Sequence, residues 1–318
     1  MRELQTKLVL NDKKLNKMVS LYKPKGKSLR FREIDILRGI CIILVVLYHT
    51  CVYTSMLPNI FNIYSDPMNV NEGLRNFIYF CSDMSAQEGV MEFLVQLFSS
   101  VFIVLTGLST VFSRDNLKRG VLLLVVAELY TTITYIISTF MGSKSIVVVF
   151  GILHLLSFCL LFKCFVDWVY RLIFKKEPPV VFYMILAILI FWIGIVFRYV
   201  YFPGFIQAHS DPYFASYPNI ESIIKICCGV TAFGSDYFPI FPKASFFFLG
   251  VVIGHIFYMN RKKPYFKFLD SKVFLPINFI GSHTIYFYVA FPFVYFIIVG
   301  AILLGMGYGF LIWREITI

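Results

Sequence analysis

The sequence predicts an all-α fold, a polytopic membrane helix bundle of about seven or eight transmembrane helices. Three observations carry this reading. The 318 residues are 58% hydrophobic and 15% charged, with a mean hydropathy of +0.76, whereas soluble domains carry about 25% charged residues. Thirty-six Phe and 20 Tyr suit the aromatic belts of a bilayer protein. Apolar runs of about 20 residues, the length that one crossing of a hydrocarbon core needs, recur between short basic loops.

In chain order, residues 1–30 are polar and Lys-rich and read as a basic cytoplasmic tail, followed by one transmembrane domain over 31–318. No cleavable signal peptide is expected, because the first apolar run has polar residues where a small-residue cleavage site would lie. The first span covers about 33–54. Residues 55–87, with Pro58, Pro67 and Gly73, read as a long loop. The second span is about 90–112, the third about 120–141 and the fourth about 146–166, the last two separated by GSKS. A basic linker from Arg171 to Pro179 leads to a fifth span at about 180–201. A loop over 202–237 precedes a sixth span at about 238–258. The final apolar run, about 273–313, is too long for one crossing, and Pro292, Gly300 and Gly305 are the expected breaks.

The formal charge of +11 is distributed, not patched. Ten Lys or Arg lie in the first 32 residues. The tail, 113–119, 167–179 and 259–272 are basic, while the intervening loops carry Arg75, Lys144 and Lys225. This alternation places the N-terminus in the cytoplasm and argues for flanks facing an anionic leaflet rather than a nucleic-acid surface. Two crossings of the final run would give eight spans with the C-terminus inside; one would give seven with it outside.

The chemistry concentrates in Phe31–Tyr53, FREIDILRGICIILVVLYHTCVY. Asp35 sits one turn from Arg38 on nearly the same helix face. His49, eleven residues on, lies about 16 Å along the axis with little angular drift. Ionisable groups in a membrane helix are costly and face a bundle interior or a wet cavity. A neutral His49 can take a proton from a hydroxyl or amine attacking a thioester; its structural alternative is a hydrogen bond to a neighbouring helix. His154, in VVVFGILHLLSF, reads as a second acid/base or binding residue, or as a satisfied core histidine. His255 and His283 are weaker candidates. Arg114, Lys118 and Arg119 form a basic inner mouth that can hold the phosphates of a cytosolic donor or simply mark topology. Glu128 falls near mid-span. Asp236 and Tyr237 can shape an outer pocket or cap a helix, and Lys243 enters from the outer end of the sixth span.

The seven cysteines show no metal spacing, and no metal is expected. Cys81 is open to pairing with Cys227 or Cys228. No Walker, GxGxxG, HExxH or nucleophile-elbow motif is present, which argues against NTPases, Rossmann enzymes and those hydrolases.

REIDILRG followed by a run to YH resembles the opening of the bacterial membrane acyltransferases related to heparan-α-glucosaminide N-acetyltransferase. VFIVLTGLS, VVFGILHLLS and DYFPIFPKASFFFLGVVIG resemble later segments of that family, in order. The step from Arg38 to His49 is also similar to that of the acyltransferase type 3 proteins, whose histidine is considered catalytic. Two departures stand out: Ala290 and Phe291 where a His-Gln is expected, and Lys243 where an aromatic is common.

The resemblance implies transfer of an acyl group, acetyl in the first instance, from a cytosolic acyl-CoA to an extracytoplasmic sugar or glycan, on oxygen or nitrogen. His49 would be the general base and His154 an assisting residue. Arg38, Arg114, Lys118 and Arg119 would bind the donor, with Asp35, Glu128, Asp236, Tyr237 and Lys243 as substrate-binding or supporting residues. The expected setting is a bacterial cytoplasmic membrane, with lipid, acyl-CoA and the glycan acceptor as partners, no nucleic acid, and a homo-oligomer left open. A secondary transporter or flippase using the same buried ions, or a non-catalytic envelope scaffold, are the alternatives; the lack of an inverted repeat lowers the first.

Overall fold

The computed structural model describes residues 31–63, 70–85, 90–113, 115–141, 147–196, 220–229, 236–259 and 266–309. Arg114 and the tail over 1–30 lie outside them. The described residues form helices joined by irregular segments: α1 (Arg32–Ile60), α2 (Glu72–Ser85), α3 (Val90–Ser109), α4 (Asn116–Met141), α5 (Ile152–Phe174), α6 (Val180–Val196), α7 (Ile220–Cys228), α8 (Ala244–Phe257), α9 (Leu275–Ser282) and α10 (Thr284–Gly305). Four of these (α1, α4, α5 and α10) are long and apolar enough to cross a membrane, and α3, α6 and α8 supply shorter apolar helices. The bundle is therefore an integral membrane one, and its outward faces confirm the solvent. Leu122, Val125 and Leu129 of α4, with Ile185, Ile188 and Trp192 of α6, are exposed apolar side chains, the reverse of a water-soluble helix.

Several boundaries differ from expectation. α1 runs through Pro58 to Ile60, so the predicted loop over 55–87 begins late and also contains α2. A proline so near the end removes one of the last helical N–H groups. The Thr54 hydroxyl nearby donates to Thr50 O (2.7 Å) and meets the Tyr295 hydroxyl at 2.6 Å. The predicted loop over 202–237 likewise contains α7, while 197–219 is outside the described residues. The final apolar run breaks at His283; α10 continues through Pro292 and Gly300 and ends at Gly305. α9 has eight residues, about 12 Å of rise, far short of a crossing.

The fourth and sixth spans start later than predicted, because 147–151 and 236–243 are not helical. Backbone at membrane depth needs partners inside the protein, and α4 supplies them. Thr131 Oγ1 donates to Val148 O (2.6 Å), and Thr134 Oγ1 accepts from Val148 N (3.2 Å). Phe238 N–H donates to Phe150 O at 3.0 Å, joining the two segments.

Helices α3 and α8 cross at backbone contact. A Cβ on Gly107 would lie 1.9 Å from Phe247 O, and one on Gly250 2.0 Å from Val104 O, the small-residue contact that membrane helices use in place of a hydrophobic drive. Around that crossing, Ile103, Phe247, Phe248, Val251, Leu155 and Leu160 are buried in the main core. A buried polar knot ties α5 to α6: Lys163 Nζ pairs with Asp167 (2.6 Å), and Tyr183 donates to the other carboxylate oxygen at 2.6 Å. Cys81 is not disulfide-bonded to Cys227 or Cys228; its thiol lies beside Cys51 and Thr54, and none of the seven cysteines forms a disulfide.

Candidate functional site

α1 presents its polar stripe to the bundle interior. Near its N-terminal end, Arg38 Nη1 lies 3.6 Å from Asp35 Oδ1, and Nη2 donates to Leu105 O at 3.0 Å. That carbonyl belongs to α3, so the guanidinium ties two helices. α4 brings a second cation to the same level. The Arg119 guanidinium donates to Ser109 Oγ (3.2 Å) and Asn116 Oδ1 (3.4 Å). Gly281 of α9 presses against α1 here, where a Cβ would fall 1.6 Å from Asp35 O.

Between these helices lies a cavity of about 310 Å³. Asp35, Arg38, Ser109, Ser113 and Arg119 line one end; Val45, Ile152 and Tyr288 line the other. Val45 is one turn before His49 on α1. The cavity thus carries two cations at one end and an apolar, aromatic wall towards the middle of the bundle.

Behind that wall the polar groups converge. Tyr288, on α10, donates its hydroxyl hydrogen to Asp236 Oδ2. The same oxygen accepts from Ile152 N–H, the first residue of α5, at 3.4 Å. A helix start favours a carboxylate through its free N–H groups and dipole. Asp236 takes φ +52°, a left-handed conformation that Asp tolerates better than most residues. Its other oxygen, Oδ1, lies 3.9 Å from His49 Nε2, an ion-pair distance rather than a hydrogen bond. His49 Nδ1 is buried with no hydrogen-bond partner among the described residues. The rings of Tyr53 (5.6 Å), Tyr48 (5.7 Å) and Tyr288 (6.5 Å) surround it. An imidazole with a carboxylate 3.9 Å from one nitrogen and no hydrogen-bond partner at the other can take up a proton at that second nitrogen when neutral and protonated on Nε2.

Residues 30–293 match the family model of heparan-alpha-glucosaminide N-acetyltransferase, catalytic. The chain belongs to this family. No curated protein and no solved structure matches it. Membership gives the chain an acyltransferase character in general terms, within a membrane bundle.

Within this family member, the structure gathers some of the predicted residues and separates others. Arg38, Arg119 and Asp35 share the cavity; His49 and Asp236 meet beyond its far end. Lys118 is exposed and outside the cavity lining, its backbone N–H bound to Asp115 Oδ1 at 2.9 Å. Arg114 is outside the described residues. His154 Nδ1 accepts from Gly151 N–H (3.3 Å), which makes Nε2 the protonated nitrogen. Nε2 lies 3.3 Å from Thr131 Oγ1 and 3.8 Å from Glu128 Oε1. His154 therefore caps the start of α5, next to the N–H that holds Asp236. Tyr237 donates to Ile226 O (2.8 Å), and Lys243 Nζ donates to Gln96 Oε1 (2.6 Å) and lies 4.8 Å from the Phe238 ring centre. Both fasten the irregular segment before α8. Among the described residues no group of three or more His, Cys, Asp or Glu could hold a metal ion.

Tyr288 was not a sequence candidate. No local pattern marks it, in a run where aromatics otherwise look lipid-facing.

Proposed function

We propose that the protein transfers an acetyl group from cytosolic acetyl-CoA to a hydroxyl or amine of an extracytoplasmic sugar or glycan. One observation carries the reading: a single cavity leads from Arg38 and Arg119 to the wall behind which His49 and Asp236 meet. The basic flanks put the Arg38 end in the cytoplasm. Arg38 and Arg119 would then hold the donor's phosphates through charge-assisted hydrogen bonds, and the cavity would carry the pantetheine arm towards Tyr288.

His49 accepts the acceptor's proton at Nδ1 while Asp236 holds the Nε2 side. The acceptor oxygen or nitrogen attacks the thioester carbonyl, and the C–S bond breaks as the tetrahedral intermediate collapses. The proton on His49 passes to the departing thiolate, so CoA leaves as the thiol and no acyl-enzyme is required. His154, through the Gly151 turn, acts as a positioning residue for the α5 start that grips Asp236.

The test is release of CoA from acetyl-CoA by purified protein in detergent, wild type beside His49→Ala. Loss of a general base lowers the rate by about a hundredfold to ten-thousandfold. A wild type that neither binds nor turns over acyl-CoA sinks the proposal and favours a transporter.

A further inference from the structure

The cavity does not reach His49 directly. Its lining stops at Val45, Ile152 and Tyr288, and the phenol of Tyr288 stands between the cavity and Asp236. One side chain therefore belongs to both halves of the site. Its ring forms the end wall that a donor would meet, and its hydroxyl occupies the Asp236 oxygen that does not face His49.

We infer that Tyr288 is a positioning residue for the general base and the partition that ends the donor cavity, an inference that rests on the acyl-transfer reading above. Asp236 has two buried oxygens with different partners. Oδ2 takes hydrogen bonds from Tyr288 and Ile152 N–H; Oδ1 is left for His49. With the hydroxyl gone, only the longer bond from Ile152 fixes the carboxylate, and it can rotate away from Nε2. The imidazole then loses the carboxylate that faces Nε2 and stabilises its protonated form. The ring does separate work: it closes the end of the cavity beside which His49 and Asp236 meet.

Tyr288→Phe removes the hydroxyl and keeps the wall. Its kcat should fall roughly ten- to a hundredfold, the weight of one hydrogen bond to a charged group, while KM for acetyl-CoA stays within about twofold because ground-state donor binding is intact. In an Asp236→Asn background the same substitution should add little further loss, since Tyr288 acts through that carboxylate. Monodisperse elution of each variant establishes that it is folded. An active wild type beside an undiminished Tyr288→Phe, or losses that multiply independently in the double variant, overturns this inference alone. A wild type inactive with every acyl-CoA overturns the acyl-transfer reading and this inference with it.

Discussion

Arg119 and Lys118 are neighbours in sequence with opposite surroundings. Arg119 points its guanidinium at Ser109 and Asn116 and lines the cavity, whereas Lys118 is exposed on the first turn of α4. Arg119→Gln should raise KM for acetyl-CoA about tenfold or more with little change in kcat, because it removes a charge-assisted contact made equally in the ground and transition states. Lys118→Gln should leave both constants within about twofold. Initial rates over a range of acetyl-CoA concentrations decide it, and equal effects from the two changes would place the phosphates elsewhere. At this scale the sequence was informative where charge stood against an apolar background: Asp35, Arg38 and His49 are conspicuous in their helix. It was silent on Tyr288, one of 20 tyrosines, because a phenol's role is set by whether its hydroxyl finds a partner. His154 shows the converse. Its setting looks chemical, yet its Nδ1 is taken by the Gly151 N–H, which no local pattern reveals.

Helices α3 and α8 depend on two glycines that place each backbone against the other. A methyl on Gly250 would meet Val104 O at 2.0 Å, a backbone atom that cannot rotate away. Gly250→Ala should therefore force the helices apart and lower the thermal midpoint in detergent by several degrees, an overpacking cost of about 1–3 kcal/mol. Gly305→Ala, where nothing lies within 4 Å of the added carbon, is the control and should leave the midpoint unchanged. The same comparison explains which elements could be read in advance. Apolar runs located the crossing helices, since burial in lipid needs length and hydropathy alone. They could not separate helix from irregular chain at 147–151 and 236–243, because VVVFG and DYFPIFPK are as apolar or aromatic as the helices they adjoin. What holds those segments out of the helices lies elsewhere: the hydroxyls of Thr131 and Thr134 and the Phe150 carbonyl. α2 and α7 were missed for the opposite reason, since a short amphipathic helix resembles a polar loop when composition is the guide.

For the whole molecule, the count of crossings follows from how the chain's last helix lies against its first. Tyr53 packs on Phe291 and Tyr295, Thr54 meets Tyr295, and Gly300 approaches Phe61, so later residues of α10 meet later residues of α1. Beyond both helices, Asn62 N–H donates to Gly309 O at 2.8 Å. The two helices therefore run in the same direction, and residue 309 emerges at the membrane face opposite Arg32. Only an odd number of crossings allows this. It agrees with the four long and three shorter apolar helices among the described residues and with α9 being too short to cross. On the orientation expected from the basic flanks, Arg32 lies inside and Gly309 outside. Fusions made after Gly309 in a bacterial host should show an active periplasmic phosphatase and a dark fluorescent-protein reporter, and fusions after Lys176, in the basic α5–α6 linker, the reverse. A bright fluorescent fusion after Gly309 beside a still-bright one after Lys176 would mean an even number of crossings and would require α10 to run against α1, contrary to the Asn62–Gly309 bond and the Tyr53–Tyr295 packing. Inversion of both fusions together would leave the bundle intact but turn the Arg38–Arg119 mouth outward, away from cytosolic acetyl-CoA. The paired reporters therefore test the packing and the donor's side of entry separately.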